Sequence, residues 1–448
     1  MAAKLFGTDG IRGIANKELT PAIAFRLGQA VVRYLTDKSR ARFLVGRDTR
    51  ISGTMLESAL VAGITSAGAD AYLCGVIPTP AVAHLIRELD MDGGIIISAS
   101  HNPPEFNGLK VFSREGFKLP DELEEEIESF LNSDDDIEAP IGAHVGEVFA
   151  QDDAAERYIS FATQCMKDQG LSLEGLRVAI DCGHGASSAT TPEAFRRLGA
   201  EVAAINDTYT GNDINVACGS THLEPLKELL KSGGFDFGIA HDGDADRMLA
   251  VDEMGNEIDG DQIMAILAVD MHERGTLRNN TVVSTVMCNL GFEVALRNRG
   301  LCVIKTQVGD RYVLEQMQAM EANLGGEQSG HVILLDHNST GDGLVTALCL
   351  ASVVVRTGKP LSELASVMTK YPQILRNVHV ADKTHLAASA VISEAIKRAE
   401  AELGETGRVL VRASGTEPLV RVMSEAQDTA QAQRVVDELV AVVEAELN

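Results

Sequence analysis

Short apolar runs alternate with longer helix-like segments along most of this chain, and that alternation restricts its fold more than any other feature. Phe43-Leu44-Val45 reads as a strand, Thr54 to Ala67 as a helix, Ala71 to Leu73 as a strand, Pro80 to Leu89 as a helix and Gly94 to Ile97 as a buried strand. Strands that alternate with helices predict a doubly wound α/β unit. The acidic helix Asp121 to Leu131 and the run Asp134-Asp135-Asp136 then lead into Pro140 to Gly146, where a boundary is expected. A second unit opens with the strand Arg177 to Ile180 and closes near Asp252. A third begins with a helix from Gln262, contains Val282-Val283 and Val303-Ile304, and ends near Tyr371-Pro372. Strand-like Arg408 to Arg412 and Leu419 to Met423, with a helix from Thr429 to Leu447, read as a smaller α+β domain. With 448 residues, 45% of them apolar, the chain can build several cores. The expected domains are 1–150, 151–255, 256–370 and 371–448.

Four segments within this frame carry chemistry. Ser98-Ala99-Ser100-His101-Asn102-Pro103 follows the strand Gly94 to Ile97, at the kind of strand end where open α/β folds bind ligands. Its hydroxyls, with His101, Gly108 and Lys110, suit a nucleophilic or phosphorylated serine. Asp242-Gly243-Asp244-Ala245-Asp246-Arg247 places acids at alternate positions on a tight loop, and such oxygen-only ligands favour magnesium, calcium or manganese over zinc. Glu253 falls twelfth from Asp242, as in a calcium loop. The sixth residue, however, is Arg247, where that loop needs glycine, so a three-carboxylate magnesium site is the surviving reading.

The third segment, Gly325-Gly326-Glu327-Gln328-Ser329-Gly330-His331, offers Glu327 and Ser329 to sugar hydroxyls. His331 suits either a proton relay or a structural hydrogen bond at the start of the strand Val332 to Leu335. In the fourth, Arg412-Ala413-Ser414-Gly415-Thr416-Glu417-Pro418 with Arg421, two guanidinium groups, two hydroxyls and an open backbone form an anion cradle.

Together these segments resemble the four active-site loops of the α-D-phosphohexomutase family, in the family's order and across nearly the whole chain. Phe6-Gly7-Thr8-Asp9-Gly10-Ile11-Arg12-Gly13 and Gly46-Arg47-Asp48-Thr49-Arg50 are similar to the family's N-terminal signatures, and Glu327-Gln328-Ser329 to the sugar loop of its glucosamine branch. The resemblance implies three doubly wound α/β domains with mixed sheets and a smaller C-terminal α+β domain around a central cleft, each giving one loop.

The same resemblance makes Ser100 rather than Ser98 the phosphoryl carrier, and it counts Ser100 with Asp242, Asp244 and Asp246 around one Mg²⁺. Lys110 and His331 become candidates for proton transfer, His101 a loop-ordering residue and Arg247 a support for the phosphoserine. Glu327 and Ser329 would bind the sugar, while Arg412, Ser414, Gly415, Thr416 and Arg421 would grip the non-reacting phosphate. Asp9 and Arg12 would support the serine loop; Arg47 fits that role or a structural ion pair. The implied reaction interconverts glucosamine 6-phosphate and glucosamine 1-phosphate through glucosamine 1,6-bisphosphate, in amino-sugar nucleotide synthesis. A phosphomannomutase/phosphoglucomutase and a non-catalytic sugar-phosphate binding protein are the alternatives.

Charge and cysteine usage narrow the partners. A formal net charge of −26 argues against nucleic acid or an anionic membrane surface. A phosphorylated substrate then needs locally concentrated basic groups, with Arg12, Lys110, Arg247, Arg412 and Arg421 as candidates. Seven scattered cysteines without a C-x-x-C pair predict reduced thiols. The start of the chain shows no leader-like apolar core, and the longest apolar stretch, Leu344 to Val355, is too short to span a bilayer. A soluble cytoplasmic protein is expected, with a homodimer left open.

Overall fold

The computed structural model describes residues 5–447 except 8, 39, 136 and 415–418. Strands and helices alternate through three mixed α/β sheets, and a smaller antiparallel sheet closes the chain. The first sheet has seven strands: β1 (Phe6–Gly7), β2 (Gly10–Ile14), β3 (Arg42–Arg47), β4 (Asp70–Val76), β5 (Gly93–Ile97), β6 (Phe106–Ser113) and β7 (Val148–Ala150), in the order β1-β2-β6-β5-β3-β4-β7. β3 runs parallel to β4 and β5, whereas β6 is antiparallel to both β5 and β2. The serine loop therefore joins two antiparallel neighbours, and Ile96 pairs with Lys110.

Residues 94–97 and 43–45 are apolar throughout and wholly buried, as strands covered on both faces must be. Against one face pack the helices Pro21–Leu35 and Gly53–Ser66, with Leu27, Ala30, Leu56, Leu60 and Ile64 joining Phe43, Val45, Ile95 and Ile97 in one core. The two helices touch backbone to backbone. A Cβ on Gly28 would lie 2.3 Å from the Leu60 carbonyl, and one on Gly63 would lie 2.0 Å from the Phe25 carbonyl, so only glycine allows this approach.

The second sheet comprises β8 (Arg177–Asp181), β9 (Glu201–Ile205), β10 (Phe237–His241), β11 (Met248–Asp252) and β12 (Glu257–Ile258), ordered β12-β11-β10-β8-β9. β10 and β11 are antiparallel, with His241 paired to Met248, so the acidic loop is the turn of a hairpin. The third sheet comprises β13 (Thr281–Thr285), β14 (Cys302–Thr306), β15 (Leu324–Gly326) and β16 (Val332–Leu334), ordered β14-β13-β15-β16. The turn 327–330 links its antiparallel strands β15 and β16. The apolar run from Leu344 lies in the helix Gly343–Thr357, most of which is buried in the interior. Among the described residues no helix is long and apolar enough to cross a membrane, and all seven cysteines are free.

The chain divides into two compact units, one of Met1–Val286 with Val303–Ser366 and one of Met287–Cys302 with Val367–Asn448. The second contains the fourth sheet, β17 (Gln373–His379), β18 (Arg408–Ala413) and β19 (Leu419–Glu425), ordered β17-β19-β18 and antiparallel throughout. Val420 and Val422 form a core with Ile392, Val435, Val436 and Leu439 from the helices Ala390–Leu403 and Thr429–Leu447. Glu425 at the end of β19 is fully buried and satisfied: Arg408 Nε donates to its Oε2 at 2.6 Å and Leu290 N–H at 2.9 Å.

Candidate active site

Ser100 is the third residue after β5, with a left-handed backbone at φ 51° and 1% of its surface exposed. A side chain pays for that conformation in strain, so the surrounding structure must impose it. Asp48, just after β3, contributes to doing so. Ser98 Oγ donates to Asp48 Oδ2 at 2.6 Å and accepts the Ser100 N–H at 2.9 Å, which ties the serine's backbone to a buried carboxylate. Ser100 Oγ is thereby left facing the acidic hairpin, where it donates to Asp242 Oδ2 at 2.6 Å.

That hairpin brings three buried acids together: Asp242, Asp244 and Asp246 each offer a carboxylate oxygen within 4.8 Å of the others. Ala245 supports the tight turn with a φ of 55°, and Arg247 N–H donates back to Asp242 Oδ1 at 3.2 Å. Gly243 is required beneath Ser100, because a Cβ there would meet the Ser100 carbonyl oxygen at 2.7 Å. Oδ1 of Asp244 and Oδ1 of Asp246 are buried without a hydrogen-bond partner among the described residues. Burial, then Asp246 and Asp244, push the Asp242 carboxyl well above the usual range. Clustered carboxylates with unsatisfied oxygens fit a hard divalent cation such as Mg²⁺.

A ladder of alternating charges leads away from these acids. Lys110, buried on β6, places Nζ 2.8 Å from Asp244 Oδ2, 3.0 Å from Asp9 Oδ2 and 3.4 Å from Asp246 Oδ2. Burial works against its charge, but Asp244, Asp9 and Asp246 prevail and hold the ammonium above its usual pKa. Asp9 also accepts from Arg12 and from Lys118, and Lys118 passes the chain of charge on to Asp310. Arg12 reaches the serine loop as well, donating from Nη1 to the Ala99 carbonyl at 3.5 Å and to Asn102 Oδ1 at 3.4 Å. Asp310 Oδ2 lies 3.6 Å from His331 Nε2. The His331 side chain is 3% exposed, and neither ring nitrogen has a hydrogen-bond partner among the described residues. Its imidazole edge borders a cavity of about 170 Å³ lined also by Lys118, Asp310, Ser339 and Thr340.

Five further expected residues, His101, Glu327, Ser329, Arg247 and Arg47, belong to the same unit as Ser100. His101 Nδ1 is 3.4 Å from Ser100 Oγ, and burial, helped by Arg247 and Arg12, lowers the imidazole to about 4, leaving it neutral near pH 7. Glu327 Oε1 accepts Gly309 N–H at 3.2 Å, and Ser329 Oγ donates to Glu327 Oε2 at 3.5 Å. Arg247 places Nε 3.9 Å from Asp246 Oδ1. Arg47 pairs with Glu57 at 3.3 Å, the ion-pair option for this residue.

In the second unit, Arg412 and Arg421 are direct cross-strand partners on β18 and β19. Burial and the neighbouring Arg421 lower the Arg412 pKa. Ser414 N–H donates to the Leu419 carbonyl at 2.9 Å, which fixes the mouth of the loop. Gly415 and Thr416 lie outside the described residues.

Sequence reading missed Asp48, Lys118 and Asp310. It also missed Thr79, which donates from Oγ1 to Asp244 Oδ2 at 2.6 Å from the start of the helix Thr79–Glu88. Lys118, Asp310 and Thr79 lie outside every motif singled out in the sequence, so no spacing signal marks them. Asp48 alone lay within a quoted motif, Gly46 to Arg50.

Comparison with known proteins covers nearly the entire chain. Residues 3–138, 156–255 and 259–371 match phosphoglucomutase/phosphomannomutase α/β/α domains I, II and III, and residues 375–442 match the C-terminal domain of the same family. A phosphoglucosamine mutase of Carboxydothermus hydrogenoformans is 54% identical over 443 residues, covering 98% of this chain and 99% of the relative. One from Desulforamulus reducens is 51% identical with the same coverage. Among solved structures, a phosphoglucomutase/phosphomannomutase family protein from Burkholderia thailandensis shares the fold with a TM-score of 0.82 at 24% identity, covering 98% of each chain.

Proposed function

The chain belongs to the phosphoglucomutase/phosphomannomutase family, and on that premise we propose that it interconverts glucosamine 6-phosphate and glucosamine 1-phosphate with Ser100 as phosphoryl carrier. The observation that carries this reading is the 2.6 Å contact from Ser100 Oγ to Asp242 within the three-aspartate cluster. A hydroxyl so placed adjoins the carboxylates that would hold a cation, where a phosphoryl group on Oγ would have its charge offset. The glucosamine substrate is supported by relatives named phosphoglucosamine mutase that are 54% and 51% identical over the whole chain.

In the forward direction the bond between phosphorus and Ser100 Oγ breaks as O1 of glucosamine 6-phosphate bonds to phosphorus. The 1-hydroxyl gives its proton to a base, and Ser100 Oγ ends as a hydroxyl. The resulting 1,6-bisphosphate turns over, its 6-phosphoryl passes to Ser100 Oγ, and glucosamine 1-phosphate leaves. Held by Asp242, Asp244 and Asp246, Mg²⁺ would offset charge on the phosphoryl oxygens during transfer.

The residues divide the remaining work. Lys110 Nζ is committed to three carboxylates, so we assign proton transfer to the His331 imidazole and electrostatic support to Lys110. His101, neutral and beside Oγ, orders the loop, while Arg247 steadies the phosphoryl group. Glu327 and Ser329 hold sugar hydroxyls in either orientation. In the second unit Arg412, Ser414 and Arg421, with Gly415 and Thr416, are assigned the non-reacting phosphate, whose binding energy helps position the reacting one.

Intact mass and phosphopeptide analysis before and after incubation with glucosamine 6-phosphate and Mg²⁺ tests this reading. One phosphate on Ser100 that is lost to or exchanged with the sugar is the expected result. A Ser100 that never carries phosphate, even with hexose 1,6-bisphosphate present, would leave a sugar-phosphate binding protein. Faster turnover of mannose or glucose phosphates would move the chain to the other branch of the family.

A further inference from the structure

The carbonyl groups of the serine loop are held from two sides by residues outside the four active-site segments. Arg50, fully buried after β3, donates from Nη2 to the Ser100 carbonyl at 3.0 Å and to the Asn102 carbonyl at 2.7 Å. Its Nη1 donates to the Pro103 and Phe106 carbonyls, and its Nε to Asp48 Oδ2 at 2.9 Å. From the second sheet, in the connection after β9, Asn215 Nδ2 donates to the same two carbonyls, Ser100 at 2.8 Å and Asn102 at 3.1 Å. Asn215 is itself anchored, with its N–H on the Gly183 carbonyl at 3.0 Å and a φ of 59°.

We infer that Arg50 and Asn215 are paired positioning residues for phosphoryl transfer, locking Ser100 in its left-handed conformation so that Oγ meets either end of the sugar in one fixed place. This rests on Ser100 being the carrier. The physical argument is one of shared targets. Two donors from different sheets converge on the two carbonyls that flank His101, and Ser98 and Asp48 hold the N–H of Ser100 from the other side. The backbone is thus fixed at both peptide groups of the nucleophile, leaving Oγ to move only by side-chain rotation. A carrier that gives phosphate to O1 and takes it from O6 must do so within a small positional tolerance, since displacement of about 1 Å is costly in rate.

Asn215→Gly tests this with the least damage, because glycine accepts a φ of 59° and only the amide is lost. Arg50→Lys keeps the charge but replaces a planar fork by a single ammonium. The measurement is single-turnover transfer from phosphorylated Ser100 to glucosamine 6-phosphate, with KM and the thermal midpoint recorded in parallel. Asn215→Gly is expected to slow transfer about 10-fold, and Arg50→Lys about 100-fold, with KM within about twofold of wild type. The double variant should fall short of the product of the two effects, because both donors act on the same carbonyls.

Wild-type transfer per folded molecule in Asn215→Gly overturns the inference, whatever its thermal midpoint, and decides the matter if Arg50→Lys does not fold. Equal losses in KM and thermal midpoint without a change in transfer rate would also overturn it. Absence of phosphate from wild-type Ser100 would instead mean that the carrier assignment is wrong.

Discussion

Ser98 Oγ donates to Asp48 and receives the Ser100 N–H, whereas Ser100 Oγ donates to Asp242. Two hydroxyls two residues apart therefore have different environments, one inside the scaffold and one at the three-aspartate cluster. Ser100→Ala is expected to abolish the phosphoprotein and to cost more than about 10³-fold in turnover. Ser98→Ala should still be phosphorylated on Ser100, but it leaves the buried Ser100 N–H without its acceptor and Asp48 Oδ2 with Arg50 Nε as its remaining donor, at a stability cost of about 1–3 kcal/mol. Phosphopeptide mapping and thermal unfolding of the two variants separate these outcomes; phosphate on Ser98 in either would refute the assignment. Spacing did not rank the two serines, because the difference lies in what Asp48 and Asp242 bring from 50 and 142 residues away. The same reason hid Lys118 and Asp310, whose pairing spans 192 residues.

At the scale of elements, the alternation of apolar runs and helices exposed the frame, and the acidic run between β10 and β11 was legible because strands flank it directly. β6 was not legible. Phe106 to Ser113 contains Asn107, Gly108 and Lys110, polar or small residues that break a strand pattern, and they are buried there because the strand borders the site. The helices Thr79–Glu88 and Ala154–Lys167 offer a test by pH. His84 stacks on Phe161 with ring centroids 3.7 Å apart, and burial outweighs the nearby Glu88 to lower its imidazole to about 4. The unfolded chain, with histidine near 6.5, then binds the proton more tightly than the folded one. Stability from this group is complete above about pH 6.5 and is lost as pH falls toward about 4, a change on the order of 1–3 kcal/mol. His84→Phe keeps the stack and removes the titration. Its denaturant midpoint should fall less than that of wild type between pH 7 and pH 4, and parallel curves would show that His84 is not the group responsible.

For the molecule as a whole, a net charge of −26 opposes any phosphorylated ligand, so binding depends on where positive charge is concentrated. The second unit concentrates it at a cost. Arg412 and Arg421 face each other across β18 and β19, and like charges in direct cross-strand register are unfavourable by about 0.2–1 kcal/mol. An anion between the guanidinium groups reverses that sign, so the effect of removing one arginine depends on the ligand. In phosphate-free buffer Arg412→Ala should melt at the wild-type temperature or slightly above it. With glucosamine 1-phosphate at about 100 times its Kd, the wild type gains about 2.7 kcal/mol, and the variant, at the same concentration, gains much less and melts below it. The KM for hexosamine phosphate should rise at least about 10-fold, while Ser100 in the purified variant is expected still to carry phosphate, because Ser100 belongs to the other unit. Thermal melts with and without the sugar phosphate, together with intact mass, measure all three. A variant already destabilised without ligand, and stabilised by ligand as much as wild type, would mean that Arg412 serves the β-sheet rather than the phosphate.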